Sequence, residues 1–164
     1  MRENHNIPPV YDEYSRILIL GSFPSVRSRE EAFFYAHPRN RFWKVISSIC
    51  QEEVPETVEE KKELLLKHRI ALWDVIGSCE IRGSSDASIR NVETNDIRGL
   101  MEKTKIEAVF CNGRRSYELY YRYLYPQTGK EAVLLPSTSP ANASMTLEDL
   151  RTVWEKTIGM YHSE

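Results

Sequence analysis

Arg16-Ile-Leu-Ile-Leu-Gly21 is a short, unbroken apolar run closed by glycine, and a strand of that composition has no polar face to offer water. It has to be covered on both sides, which is the situation of a strand inside a parallel sheet. Three more runs share this character: Ile70 to Ile76, Ile106 to Cys111 and Ala132 to Pro136. Helical patterns fill the intervals. Phe42, Val45, Ile46 and Ile49 fall on one face, as do Leu64, Leu65 and His68 after a charged, capped start near Thr57. Further helices are expected from about Thr94 to Lys103 and from about Arg115 to Leu124. A last one, Thr146 to about Tyr161, opens with a capping-box-like Thr146 and Asp149, then aligns Leu150, Val153, Trp154 and Ile158. Buried strands alternating with helices predict a three-layer α/β/α sandwich around a central, mostly parallel four-stranded sheet.

With 164 residues, 41% of them hydrophobic, the chain can bury one ordinary core, and residues 1–164 are expected to form a single domain. No stretch approaches the roughly 20 apolar residues of a membrane span, and the start, MRENHNIPPV, lacks the basic-then-apolar order of a signal peptide. A monomeric, cytoplasmic protein is expected. Cys50, Cys79 and Cys111 lie far apart beside apolar residues, which suits buried, reduced thiols. There is no C-x-x-C or H-x-x-x-H spacing, so neither a metal nor another cofactor is expected.

The net charge of -2 is not that of a protein held to nucleic acid by bulk charge. Any such site must be local. Arg27, Arg29, Arg39 and Arg41 cluster in sequence, Arg114 and Arg115 form a second pair, and an acidic run from Glu52 to Glu63 offsets them. Taken alone, such arginines are more simply read as solvated helix ends. Gly83 to Ser88 is the loosest segment and reads as a long loop.

Three segments have the chemistry of a site, each with a plain structural alternative. Gly21-Ser-Phe-Pro-Ser25 makes a rigid turn at a strand's C-terminal edge that exposes backbone N–H groups, or simply a turn. Phe33 to Trp43 interleaves aromatic rings with His37, Arg39 and Asn40, a mixture suited to base stacking and phosphate pairing. Phe42 and Trp43 belong to the core, and a helix N-cap explains Asn40 as well as catalysis does. Leu135 to Ser144, LPSTSPANAS, is a stiff loop of hydroxyls and N–H groups able to grip phosphates, or a turn before the last helix.

In this order, GSFPS, AHPRNRFW, FCNG and LPSTSPAN resemble the uracil-DNA glycosylase superfamily. The run from Gly21 to Ile46 is similar to the N-terminal motif region of the mismatch-specific uracil/thymine-DNA glycosylases. Where those enzymes carry a water-activating asparagine this chain has Phe23, which can neither orient nor deprotonate water. The combination is instead similar to the hypoxanthine-DNA (deoxyinosine) glycosylase branch, whose catalysis is attributed to the asparagine matching Asn40.

The resemblance implies an enzyme that hydrolyses the N-glycosidic bond of a deaminated base in DNA, with no cofactor and no metal. Tyr35 matches the aromatic that stacks on the flipped base, and Gly21, Ser22 and Phe23 border it. Asn112, at a strand end, is the candidate reader of the base edge. An amide accepts from a ring N–H and donates to the adjacent carbonyl of hypoxanthine or uracil, but it can be flipped to suit adenine unless a neighbour fixes it. Asn40 is expected to position water through its amide oxygen. His37 and Arg39 border the DNA, Ser137 and Ser139 contact phosphates, and Ala141 takes the place of the wedge that fills the hole left by the base. The motifs contain no lysine, so a Schiff-base lyase step is not indicated. Trp73 and Asp74 are expected to be a core indole and a loop-capping carboxylate, and His68 a helix-end residue. A uracil-DNA glycosylase, an inactive nucleic-acid-binding domain of the same fold and a nucleoside hydrolase are the alternatives.

Overall fold

Each of the four apolar runs supplies a strand to one parallel sheet. The structure, a computed structural model, describes residues 2–82 and 85–162. In chain order it contains β1 (Arg2–Asn4), β2 (Ile17–Gly21), α1 (Val26–Glu31), α2 (Phe42–Ile49), α3 (Val58–Lys67) and β3 (Ile70–Asp74). There follow β4 (Ile76–Glu80), β5 (Arg90–Thr94), α4 (Ile97–Glu102), β6 (Ala108–Asn112) and α5 (Arg114–Leu119). The last elements are α6 (Tyr125–Thr128), β7 (Ala132–Leu135) and α7 (Leu147–His162).

The main sheet has the order β3-β2-β6-β7 with every pair parallel. Alternation along β2 shows why it needs cover on both sides. Ile17 and Ile19 join a core with residues of α2, α3 and α7, whereas Leu18 and Leu20 join one with Ile97, Leu100 and Leu119. Successive strand residues point to opposite faces, so a continuous apolar run builds two cores and hence three layers. Trp154 of α7 is fully buried, and its indole N–H donates to the Pro136 carbonyl, which pins that helix to the end of β7.

Two expectations about elements change. The run from Ile70 to Ile76 is not one strand: β3 ends at Asp74 and β4 leaves for a second sheet of order β1-β4-β5. The Val75 N–H bonds to the Gly21 carbonyl and the Ile76 N–H to that of Ser22, so the chain turns off the sheet there. Val75 and, within the second sheet, Ile76 and Cys79 stay buried, so the apolar pattern resumes past Asp74 and hides the bend. The helix expected from Thr94 begins only at Ile97, where the Asp96 carboxylate accepts from the Gly99 N–H, because the preceding residues pair with β4 as β5.

The remaining helices stand close to their predicted places. Thr57 with Glu60 and Thr146 with Asp149 form reciprocal capping pairs at the starts of α3 and α7. His68 closes α3 and bonds Glu52. The helix expected to end at Leu124 passes through a π-turn, Tyr120–Leu124, into α6. Of the loop expected at Gly83 to Ser88, Gly83 and Ser84 lie outside the described residues, while Asp86–Ser88 forms a 3-10 turn. The three cysteines are buried, and burial pushes the Cys50 and Cys111 thiols up to about 12.

Candidate active site

Parallel strands end on the same edge of their sheet, and that edge is where open α/β folds hold ligands. Here β2 ends at Gly21, β3 at Asp74 and β6 at Asn112, and the loop after β7 carries residues 137–141. All of them line one cavity of about 350 Å³, inside the roughly 300–1,000 Å³ common for small-ligand pockets. The loop after α1 closes it with Tyr35, His37 and Asn40.

The local sequence explains how that loop is held. Ser25 caps α1, and Ser28 passes the connection on, its hydroxyl accepting from the Ala36 N–H at 3.0 Å. The Trp43 indole donates to the Phe34 carbonyl at 3.2 Å, folding the segment back on α2. Between these anchors Tyr35 takes a left-handed φ of 53°, a conformation uncommon for an aromatic residue and one that clusters at ligand sites. Its ring stacks on Phe42 at 4.2 Å.

Asp74 is the one carboxylate lining the cavity, and no lysine or arginine lines it among the described residues. Its Oδ2 accepts from His5 Nε2 at 2.8 Å, and because His5 Nδ1 accepts from the Ile7 N–H, the imidazole proton sits on Nε2. Its Oδ1 faces Gly21. A methyl group on that glycine would lie 2.4 Å from Asp74 Oδ1 and 3.0 Å from the Tyr35 hydroxyl, so the close approach of these groups, rather than a special turn, requires glycine.

The two amides meet at Thr138, which is fully buried. Asn112 Oδ1 accepts from the Thr138 N–H at 3.1 Å, and Asn112 Nδ2 donates to Thr138 Oγ1 at 3.0 Å. The Thr138 hydroxyl then donates to Asn40 Oδ1 at 2.8 Å, where the Phe42 N–H also arrives at 2.9 Å. Gly113, at a φ of +99° open only to glycine without strain, starts α5 directly after Asn112.

Arg41 organises the loop from below. Its guanidinium donates to the carbonyls of Ser139 at 2.8 Å, Asn142 at 3.0 Å and Met145. It is thus a buttress of the loop, where its place in the arginine cluster had left a solvated helix end or a nucleic-acid contact open. Arg27 pairs with Glu31, and Arg29 pairs with Glu3 beneath the ring of Phe23. Arg39 is exposed and makes no ion pair among the described residues. The N–H groups of the serine loop also turn inward: that of Ser139 to Ser137 Oγ, that of Ala141 to Ser139 Oγ and that of Asn142 to the Ser139 carbonyl. The hydroxyls of Ser137 and Ser139 accept these bonds and keep their own O–H donors.

The structure brings Gly21, Ser22, Phe23, Tyr35, His37, Asn40, Asn112, Ser137, Ser139 and Ala141 together around the cavity. Arg39 lies outside it, its N–H donating to His37 Nδ1. Asp74 and Thr138 are the additions. Asp74, expected to cap a loop, instead turns its carboxylate to His5 and Gly21, the one acid within an apolar run being its signal, and the serines drew attention away from Thr138 in the same loop. For His5, 69 positions from Asp74, no sequence signal exists.

A profile of the Uracil DNA glycosylase superfamily matches residues 8–158. The chain belongs to the uracil-DNA glycosylase superfamily. Among relatives of this glycosylase-superfamily chain is a Methanosarcina acetivorans protein named hypoxanthine DNA glycosylase, 39% identical over 90% of this chain and 93% of its own. A second, from Methanosarcina barkeri and of the same name, is 32% identical over 93% and 96%. A solution NMR structure of a Methanosarcina acetivorans protein provisionally assigned as a uracil DNA glycosylase superimposes with a TM-score of 0.78 at 34% identity, covering 95% of this chain and 98% of that one. The branch to which the motifs pointed is that of these superfamily relatives, and the expected α/β architecture is the one observed.

Proposed function

We propose that the chain is a monofunctional DNA glycosylase that hydrolyses the bond between deoxyribose and a deaminated base, hypoxanthine foremost and uracil second, leaving an abasic site. The observation that carries this reading is Asp74, an acceptor-only carboxylate in the cavity of a chain whose relatives bear the name hypoxanthine DNA glycosylase. Deamination turns the N1 acceptor of adenine into an N1–H donor, and does the same at N3 of cytosine. A carboxylate accepts that proton and repels the lone pair of the normal base, and unlike an amide it cannot be inverted to suit the wrong one. His5 holds one oxygen of Asp74 and leaves the other toward Gly21 and Tyr35.

Tyr35 covers the face of the flipped base. Asn40 is the catalytic amide, acting through its donors. Both lone pairs of its oxygen are already taken by Thr138 and Phe42, which leaves its NH2 group to meet negative charge on the departing base rather than its oxygen to orient water. The sugar develops oxocarbenium character, and water completes the reaction. With no lysine lining the cavity among the described residues, hydrolysis is favoured over a lyase step. Asn112 gives one N–H and one lone pair to Thr138, which fixes its orientation and leaves its second N–H and second lone pair for the base edge.

On the DNA side, the Ser137 and Ser139 hydroxyls with exposed Arg39 and His37 contact the strand, and Ala141 stands at the wedge position. The reading treats residues 1–164 as one domain acting as a monomer in the cytoplasm without metal or cofactor. Among the described residues no helix is long and apolar enough to cross a membrane, and no group of three or more His, Cys, Asp or Glu could hold a metal ion. Matched single- and double-stranded oligonucleotides carrying hypoxanthine or uracil, treated with the protein and then with alkali, test the proposal. Strand breaks at the lesion are expected, and their absence with both bases overturns it.

A further inference from the structure

The geometry points to Thr138 as a positioning residue that sets which end of the Asn40 amide faces the cavity. This rests on the glycosylase reading above for its consequence, although not for its geometry. An asparagine amide has two nearly isosteric orientations, one presenting an acceptor and the other two donors, and a group fixed by partners at one end commits the other. At Asn40 the Phe42 N–H and the Thr138 hydroxyl both aim at the same atom, Oδ1, at 2.9 and 2.8 Å.

The Thr138 hydroxyl directs its proton to Asn40 because its other neighbour, the Asn112 NH2 group, can only donate to it. Asn112 Nδ2 donates to Thr138 Oγ1 at 3.0 Å, and the Thr138 backbone N–H returns a bond to Asn112 Oδ1 at 3.1 Å, so Asn112 is also held in one orientation. The result is a directed relay, Asn112 N–H to Thr138 O–H to Asn40 O. Such chains strengthen each member by polarisation, and in a buried setting their alternatives leave a polar atom unpaired. Thr138 is 0% exposed. Its carbonyl is held by the Arg41 N–H at 3.1 Å, which ties the relay to the first turn of α2. The relay thus converts Asn40 from a group that could orient water into a donor for the departing base, and it joins β6, the serine loop and α2 in one register.

Two variants separate this role from packing. Thr138→Val keeps the shape but removes the hydroxyl, and Thr138→Ser keeps the hydroxyl but removes a methyl group. Single-turnover release of hypoxanthine is expected to fall about tenfold or more in the valine variant and to return to within a few-fold of wild type with serine. In an Asn40→Ala background, Thr138→Val should add little further loss, because the hydroxyl acts through Asn40. Side-chain amide NMR signals of Asn112 and Asn40 give a readout independent of activity. Both pairs should shift in the valine variant and stay near their wild-type positions with serine. Unmoved amide signals, or equal losses for valine and serine, overturn the relay. A wild-type protein that releases no base overturns the glycosylase reading alone, since the amide signals still report the relay.

Discussion

Asp74 approaches Gly21 so closely that the Cβ of an alanine at position 21 would lie 2.4 Å from its carboxylate. The glycine is therefore a gap that lets an acceptor from β3 reach the end of β2. Gly21→Ala should force Asp74 or Tyr35 aside, costing about 1–3 kcal/mol of stability through overpacking and slowing base release by about a hundredfold through misplacement. Thermal denaturation and single-turnover cleavage measure the two effects. Undiminished cleavage would show that the contact has no bearing on the reaction.

Asp74→Asn is the sharper test of base reading. The His5 N–H should hold the new amide oxygen as it holds Oδ2 now, turning the NH2 group toward the site of the ring N–H. Donor would then face donor. Hypoxanthine release is expected to fall by about a hundredfold, and the ratio of hypoxanthine to adenine release should fall as well, because adenine presents an acceptor there. Parallel assays on oligonucleotides carrying each base decide it, and an unchanged ratio assigns base reading elsewhere.

Asn40→Ala removes both the proposed donor to the leaving base and the partner of the Phe42 N–H at the start of α2. Base release should fall by about a hundredfold or more, with a smaller loss of stability of about 1 kcal/mol, as for a helix cap. A variant with normal rates removes Asn40 from the chemistry.

Arg39 and Arg41 stand two residues apart and should behave differently. Arg39→Ala should lower the slope of log affinity against log salt by about 1, the signature of a lost phosphate contact. Arg41→Lys cannot serve the carbonyls of Ser139, Asn142 and Met145 together, so binding should weaken with the slope unchanged. Salt titrations on lesion-free DNA compare them. A slope change at Arg41 would mean that it leaves the loop to meet DNA.

Ala141 is exposed at the cavity rim, and a single methyl group cannot fill the space a base vacates. Single strands and weak pairs should be preferred as substrates. Ala141→Leu should raise the ratio of duplex to single-strand rate, because unstacking, a few kcal/mol per step, arises only where a stack exists. An equal or lower ratio would mean that this loop does not enter the duplex.

The layers of this protein were legible in the chain because burial on both faces leaves a mark that does not depend on distant residues. Ile17 to Leu20 are apolar whichever face they turn to, and Thr57 and Thr146 cap their helices with partners three positions away. The cavity-lining motifs were legible for a similar reason, since each lies directly after a strand or before a helix. What the tertiary structure decided was direction. Asn40 and Asn112 are polar residues of known place in the sequence, but which atom of each amide faces the cavity depends on Thr138, 98 and 26 positions away. Asp74 was expected only to cap a loop, since its place in the cavity needed His5 from the far N-terminus and the missing side chain of Gly21. The bend at Val75 escaped for the opposite reason: a second sheet keeps the run buried after it leaves the first, so the hydrophobic pattern continues while the strand does not. Local pattern records burial, whereas hydrogen-bond direction is settled only when the partners arrive.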